Sequence, residues 1–228
     1  IARFNGVKKI FWNIRSSNFH KIQTSFKTKL VVYLCAVFSY FIPNKIIINS
    51  LNSIDFHKKC FYSNNFQLIH NGIDTNEFYR DNNEFKKKLK INNDKILIGT
   101  VGRYDPQKDH MNLIKVINEL LGINIKISCI FVGKNISELK KIIIEKKYSK
   151  ELINSIYFLE SRNNIKDIMN SIDIFVLPSL YGEAFPNVLA EAMACECFCI
   201  STDVGDSKLI LNDERWIVSP GNYKILSN

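Results

Sequence analysis

DIFVLPSLYGEAFPNVLAEAMACECFCIST, residues 173–202, contains a strand, a loop, a helix and a second strand in that order. Asp173-Ile-Phe-Val-Leu177 is a short apolar run stopped by Pro178, which cannot donate to a sheet ladder. Pro186 suits a helix's first turn, and residues 187–195 are rich in good helix formers. Residues 197–202 turn apolar again. A strand, a crossover helix and a strand in so short a span make a parallel pair, since a hairpin would need only a turn between them.

The same alternation extends upstream and downstream. Strands are expected at 95–101 (KILIGTV), 126–132 (KISCIFV), 155–158 and 215–218. Helices are expected at 109–121, 136–148, 164–171 and 206–211. Apolar strands alternating with amphipathic helices predict an α/β domain, a doubly wound parallel sheet of Rossmann-like type covered on both faces. Its ligand belongs at the carboxyl ends of the strands. Before this series, strands are expected at 8–14, 45–49 and 66–70, with helices at about 26–41 and 50–60. The polar stretch 81–94 (DNNEFKKKLKINND) suits an exposed helix and loop, and sets the expected boundary between domains 1–80 and 81–228.

The 228 residues carry 31 Lys and Arg against 22 Asp and Glu, a net charge of +9. Residues 1–80 hold 11 cations and 3 anions, net +8, leaving 20 and 19, net +1, for residues 81–228. The excess fits either a Lys-rich genome or a face turned to phosphates or an anionic leaflet. No basic stripe is interleaved with aromatics, so nucleic acid is not an expected partner. Residues 30–42 are apolar but fall short of the roughly 20 needed to span a bilayer, so a buried helix is expected. No signal sequence is visible, and a cytoplasmic location follows as the expectation. The start on Ile1 reads as a fragment. Cys195, Cys197 and Cys199 share one face if all three lie on a strand, and without paired CxxC spacing they read as buried thiols, not zinc ligands.

Three loops leave the predicted carboxyl ends of strands. In the first, Gly102 allows close backbone approach to a ligand, while Arg103 and Lys108 can converge on a diphosphate. A plain solvated loop would look the same. In the second, Phe185, Pro186, Asn187, Val188 and Leu189 surround a helix start, where N–H groups and dipole favour an anion. Glu183 precedes the helix and Glu191 lies about a turn inside it, roughly 6–8 Å along the axis. They could grip two sets of hydroxyls on one ligand, or serve as a cap and a surface residue. The third, Ser201-Thr-Asp-Val-Gly-Asp206, is by itself only a turn.

Taken in order, these pieces resemble the retaining, E-x7-E-containing group-1 glycosyltransferases of GT-B fold, particularly bacterial members that build surface polysaccharides. The resemblance runs from about Lys45 to Pro220. It includes Asn71-Gly-Ile-Asp-Thr with Phe78, Gly102-Arg103 with Lys108-Asp-His110, Phe131-Val-Gly133, and Glu183 through Glu191. It implies that residues 1–80 end the acceptor-side domain and that 81–228 form the donor-binding domain. The implied reaction moves a hexose from an NDP-sugar to a hydroxyl of a glycan or lipid-linked glycan, with retention. No metal and no cofactor are expected, and the basic charge of residues 1–80 points to peripheral contact with the inner face of an anionic membrane. Arg103, Lys108 and Glu183 would be catalytic: the two cations on the leaving diphosphate, the carboxylate on the hexose. Gly102, Phe185, Pro186, Asn187, Val188 and Leu189 would line the donor, Glu191 would bind ribose, and Arg162 would stand near the base.

Two other readings share this fold: a sugar-nucleotide epimerase, and a non-catalytic nucleotide-binding remnant. The sequence departs from the family pattern at Ala184, where a Gly is usual, and at Glu160, near a usual Gly. It departs again at Glu196 and Phe198, where a Gly and a Pro are expected. A helix-ending Gly takes positive φ at no steric cost, so Glu196 is expected to be strained by about 1 kcal/mol.

Overall fold

Ile127–Val132 is buried along its whole length, and Ile96–Val101 is buried at all but its first residue. Such unbroken apolar strands need cover on both faces, and in the computed structural model they form the centre of a parallel sheet. The structure describes residues 2–17, 25–82, 84–92 and 94–228. It divides into two compact units. The first comprises Ile1–Gly72 with Tyr181–Pro186 and Val204–Asp206; the second comprises Ile73–Leu180, Asn187–Asp203 and Ser207–Asn228.

The first unit holds β1 (Phe11–Ile14), α1 (Phe26–Phe38), β2 (Lys45–Ile48), α2 (Leu51–Lys59) and β3 (Phe66–Leu68). The strands pair parallel in the order β1-β2-β3, with Ile46 opposite Trp12 and Phe66. A small core gathers Ala36, Ile46, Cys60 and Tyr62. Ser25 caps α1 by accepting from the Thr28 N–H at 3.1 Å. The expectation that this apolar stretch is a buried helix fails. Only Ala36 of α1 is buried, while Phe26, Leu30, Val31, Leu34, Val37 and Phe38 face solvent. A helix apolar nearly all round buries only the stripe that meets its sheet.

The second unit opens with α3 (Phe85–Lys88), a single turn in the polar stretch predicted to be exposed; residues 83 and 93 of that stretch lie outside the described residues. Then follow β4 (Ile96–Val101), α4 (His110–Gly122), β5 (Ile127–Val132), α5 (Ile136–Glu145), α6 (Lys150–Ser155) and β6 (Ile156–Leu159). They are succeeded by α7 (Ile165–Ser171), β7 (Ile174–Leu177), α8 (Asn187–Ala194), β8 (Phe198–Thr202), α9 (Ser207–Leu211), β9 (Ile217–Val218) and α10 (Tyr223–Ser227). The helix expected over 136–148 is shorter, because Lys147 takes φ +55 and ends it, and Ser149 caps a separate α6. The short α10 was not foreseen in the sequence.

Six strands run parallel in the order β6-β5-β4-β7-β8-β9. The chain winds outward from β4 in one direction, returns, and winds outward from β7 in the other. The order therefore reverses between β4 and β7, and a doubly wound sheet opens its ligand crevice at the carboxyl ends of those two strands. The core beneath is closed by Leu113, Ile117, Phe131, Leu139 and Leu152, each fully buried.

Candidate active site

The loop after β4 is drawn tight against the loop after β5. The Gly102 N–H donates to the Val132 carbonyl at 2.8 Å, and Tyr104 N–H to the Lys134 carbonyl at 2.8 Å. A Cβ on Gly133 would stand 2.1 Å from the Gly102 carbonyl oxygen, so only glycine permits this approach. The aliphatic stem of Lys108 lies over Gly102, 3.5 Å from where a Cβ would be. Arg103 is exposed, and its Nε donates to Asp105 Oδ2 at 3.2 Å. Asp105 Oδ1 accepts from the Gln107 N–H at 2.9 Å, starting the one-turn 3₁₀ helix Pro106–Lys108. Gly102, Arg103 and Lys108 thus share one loop with both cations near its tip, and the Leu180 N–H joins that loop to the end of β7 at the Gln107 carbonyl, 2.7 Å away.

Asp109 follows in a left-handed conformation, φ 42 and ψ 44. Burial pushes its carboxyl up to about 6. His110 beside it is buried between Tyr104 and Phe131, with ring centroids 5.9 and 5.7 Å away. Burial first, and then the charge of Lys108, lowers its pKa to about 4. The His110 Nδ1 and Asn112 Nδ2 atoms have no hydrogen-bond partner among the described residues.

Asn187, Val188 and Leu189 form the first turn of α8, with Pro186 just before it. Glu191 lies one turn in and is partly buried; burial and then the nearby Glu77 carboxylate raise its pKa. Glu183, Phe185 and Pro186 group with the first unit instead. There Glu183 is buried and its carbonyl accepts from the Ser17 hydroxyl. The Phe185 ring packs on His70, centroids 5.5 Å apart. Ala184 is buried, and its carbonyl accepts from the Asp206 N–H at 2.8 Å.

Arg162 is exposed in the loop after β6. The Glu160 carboxylate nearby is engaged in holding backbone, accepting from the N–H groups of Asn135 at 2.9 Å and Ser137 at 2.7 Å. These contacts, the Ser137 backbone N–H first, hold the carboxyl below its usual range. Glu160 thereby caps α5 from the end of the neighbouring strand β6. The three cysteines are buried, as expected, but not on one strand face. Cys195 follows α8, Cys197 precedes β8 and donates its thiol to the Met169 carbonyl at 3.0 Å, and only Cys199 lies on the strand. Glu196 takes φ +58, the conformation expected of the glycine it replaces. Phe198 has a partner the sequence did not reveal, Trp216, at 4.6 Å and 79°. Asp206, Ser17 and His70 were also missed as contributors to the 181–186 loop. Among the described residues no group of three or more His, Cys, Asp or Glu is arranged to hold a metal ion.

With a switch-point crevice, two cations in its first loop and a carboxylate in the helix start of its second, the chain matches the family model "Glycosyl transferases group 1" over residues 81–228 and belongs to that family. Among curated relatives it is 33% identical to EpsF of Bacillus subtilis over 139 residues, 60% of this chain and 35% of that protein. It is 29% identical to the capsular polysaccharide biosynthesis glycosyltransferase CapM of Staphylococcus aureus, covering 69% of this chain and 42% of that protein. The chain thus spans roughly two fifths or less of the length of these relatives. In fold it is similar to Anabaena HepE, crystallised with UDP and glucose, at a TM-score of 0.86 and 20% identity, covering all of this chain and 62% of HepE. These neighbours include GT-B glycosyltransferase structures, among them the lipopolysaccharide enzyme WaaG, at a TM-score of 0.75 and 16% identity over 99% of this chain and 68% of WaaG.

Proposed function

We propose that this chain supplies the donor-binding domain, and the end of the acceptor-side domain, of a retaining transferase that moves a hexose from an NDP-sugar to a hydroxyl of a glycan or lipid-linked glycan. The observation that carries this reading is the switch point, where the Gly102–Lys108 loop and the start of α8 leave adjacent strands in one unit. Arg103 and Lys108 stabilise negative charge as the diphosphate departs, and the N–H groups at the start of α8 add a positive dipole end. Glu191 accepts from the ribose hydroxyls, Glu183 holds the hexose, and Arg162 stands by the base. No metal is required, because the two cations do the work of one. Retention follows a front-face route in which the departing phosphate helps deprotonate the acceptor, so neither glutamate is a nucleophile. HepE crystallised with UDP and glucose supports a nucleotide-sugar donor. A relative at 27% identity, named for transfer from UDP-Gal to a diphosphoundecaprenol-linked sugar in Escherichia coli, supports a lipid-linked acceptor.

The exposed apolar side chains of α1, with Lys27 at its start, support a peripheral contact with an anionic membrane on the cytoplasmic side. Among the described residues no helix is long and apolar enough to cross a bilayer. The deciding experiment supplies the full-length protein with UDP-sugars and a lipid-linked acceptor and determines the anomeric configuration of the product by NMR. An inverted product, or epimerised donor without acceptor, would refute the reading; EDTA should leave activity intact.

A further inference from the structure

Asp206 directs a buried carboxylate at one turn of α2 from 154 to 156 residues further along the chain. It is 3% exposed, and three donors converge on it: the Ser50 hydroxyl at 2.8 Å, the Leu51 N–H at 2.9 Å and the Asn52 N–H at 3.2 Å. Asp206 and the Ser50 hydroxyl oxygen, which accepts from the Ser53 N–H at 3.3 Å, together cap the first turn of α2. The cap is supplied from a distant segment, and that ties the segment down.

The backbone around Asp206 is what the carboxylate anchors. Its N–H donates to the Ala184 carbonyl at 2.8 Å, and the Asn52 side-chain amide donates to the Gly205 carbonyl. Gly205 has φ +54, and a Cβ there would meet the Ala184 oxygen at 2.3 Å and the Glu183 oxygen at 2.6 Å. The carbonyls of Glu183 and Ala184 therefore rest directly on residues 205–206. His70 completes the arrangement: its Nδ1 is 3.2 Å from the Asn49 carbonyl and 3.9 Å from Asp206 Oδ2, and its ring packs on Phe185. All these residues belong to the first unit.

We propose that Asp206 is a positioning residue for the sugar-binding loop. By fastening residues 205–206 to the start of α2, it fixes the backbone from which Glu183 and Phe185 reach the donor. This rests on the reading of Glu183 as the hexose contact. An unpaired buried carboxylate would be costly, so the three donors and the anion stand or fall together.

The test uses the full-length enzyme with Asp206→Ala, Asp206→Asn, and the milder Ser50→Ala in case the first does not fold. Hydrogen–deuterium exchange should speed up at least tenfold in peptides covering 181–185 and 50–53, with peptides covering 100–110 within twofold of the parent. With the donor identified by the transfer assay, kcat should fall at least tenfold, donor KM should stay within about threefold, and Asp206→Asn should recover part of the loss. Combining Asp206→Ala with Glu183→Ala should cost less than the sum of the two single losses, since part of the effect of Asp206 runs through Glu183. Unchanged exchange at 181–185, or a lower melting temperature with unaltered kcat, overturns the proposal and leaves Asp206 a structural cap. If Glu183→Ala itself leaves turnover unchanged, the hexose-contact reading fails and takes the catalytic half of the proposal with it, whereas the exchange data still report whether Asp206 holds the loop.

Discussion

Between β4 and α4 the polar side chains that shape the loop lie within five residues of one another: Arg103 on Asp105, Asp105 on Gln107. The loop at 181–186 is held by residues far away in sequence, Ser17 on the Glu183 carbonyl and the Asp206 N–H on Ala184. The first loop also has backbone bonds to Val132, Lys134 and Leu180, so it can lose an exposed side chain without consequence for the fold. A loop that depends on side chains brought from far away transmits any loss at its anchors. On the reading proposed above, the first arrangement suits a cation that reaches a departing phosphate, and the second suits a carboxylate that must be held in place against the sugar.

The largest expected effect lies in the local loop. Arg103→Ala and Lys108→Ala in the full-length enzyme should each lower turnover on the order of 10²-fold, as loss of a charge-stabilising donor does. Arg103 is exposed and its ion pair with Asp105 is worth little, so unfolding free energy should stay within about 0.5 kcal/mol. Steady-state rates and urea melts together decide it. A large stability loss with Arg103→Ala would mean that this loop, too, depends on its side chains for shape.

Glu191 comes next, a carboxylate kept partly buried in α8 against its own solvation. Glu191→Ala should weaken nucleotide binding by about 1.5–3 kcal/mol, the range for hydrogen bonds to a charged group. Calorimetry with a ribonucleotide and its 2′,3′-dideoxy analogue should show the loss mainly in the former. The fold itself should respond in the other direction. A carboxyl whose folded pKa lies above its unfolded one favours the protonated form, so its ionisation costs stability as pH rises through the folded value. Glu191→Gln should therefore raise the melting temperature slightly at pH 7 while still costing affinity. A residue that lowers both when replaced would be structural.

These contrasts also show what could be read in the sequence. The alternation of apolar strands and amphipathic helices made the second unit legible, and its switch point followed. That Gly102, Arg103 and Lys108 share one loop could be read because their spacing is local. Asp206 looked like a plain turn residue because its donors, Ser50 to Asn52, lie some 155 positions away. Glu160 looked like a defect because its partners Asn135 and Ser137 come from the neighbouring crossover. The apolar stretch 30–42 misled in another way: hydrophobicity reports the tendency to be buried, not whether a neighbour is there to do it. The three cysteines were correctly read as buried, but period-two spacing could not foresee that the strand begins only at Phe198, after a turn in which Glu196 takes φ +58.

A subtler prediction concerns Asp109 and His110, which oppose each other. His110 has a folded pKa of about 4, below the ordinary 6.5, so its contribution is full above pH 6.5 and is lost as pH falls toward 4. Asp109 is raised from 3.8 to about 6, so it disfavours folding above pH 6 and ceases to do so as pH falls toward 3.8. The two slopes nearly cancel in the parent. His110→Gln removes one of them, and relative to the parent its unfolding free energy should gain on the order of 3 kcal/mol between pH 6.5 and 4. Parallel acid limbs in the two proteins would show that His110 is not held neutral.

The smallest effect separates two departures from the family pattern that looked alike in sequence. Glu196 and Phe198 stand where Gly and Pro were expected. The structure separates them. Glu196 is exposed and takes φ +58, where a Cβ crowds its own carbonyl and glycine does not. Phe198 lies in β8 opposite Ile174 and packs edge-on against Trp216. Glu196→Gly should accordingly stabilise the chain by about 1 kcal/mol, net of glycine's greater freedom in the unfolded state. Phe198→Pro should lose the aromatic pair, about 0.5–1.5 kcal/mol, and any ladder bond its N–H makes. The double variant should then sit near the parent or below it, and nucleotide affinity should not move in any of the three. Urea denaturation of the parent, both single variants and the double variant measures the stability differences, and calorimetry the affinities. Should Glu196→Gly prove destabilising, the Glu side chain must be making contacts worth more than the left-handed backbone costs, and the turn after α8 has been rebuilt around it.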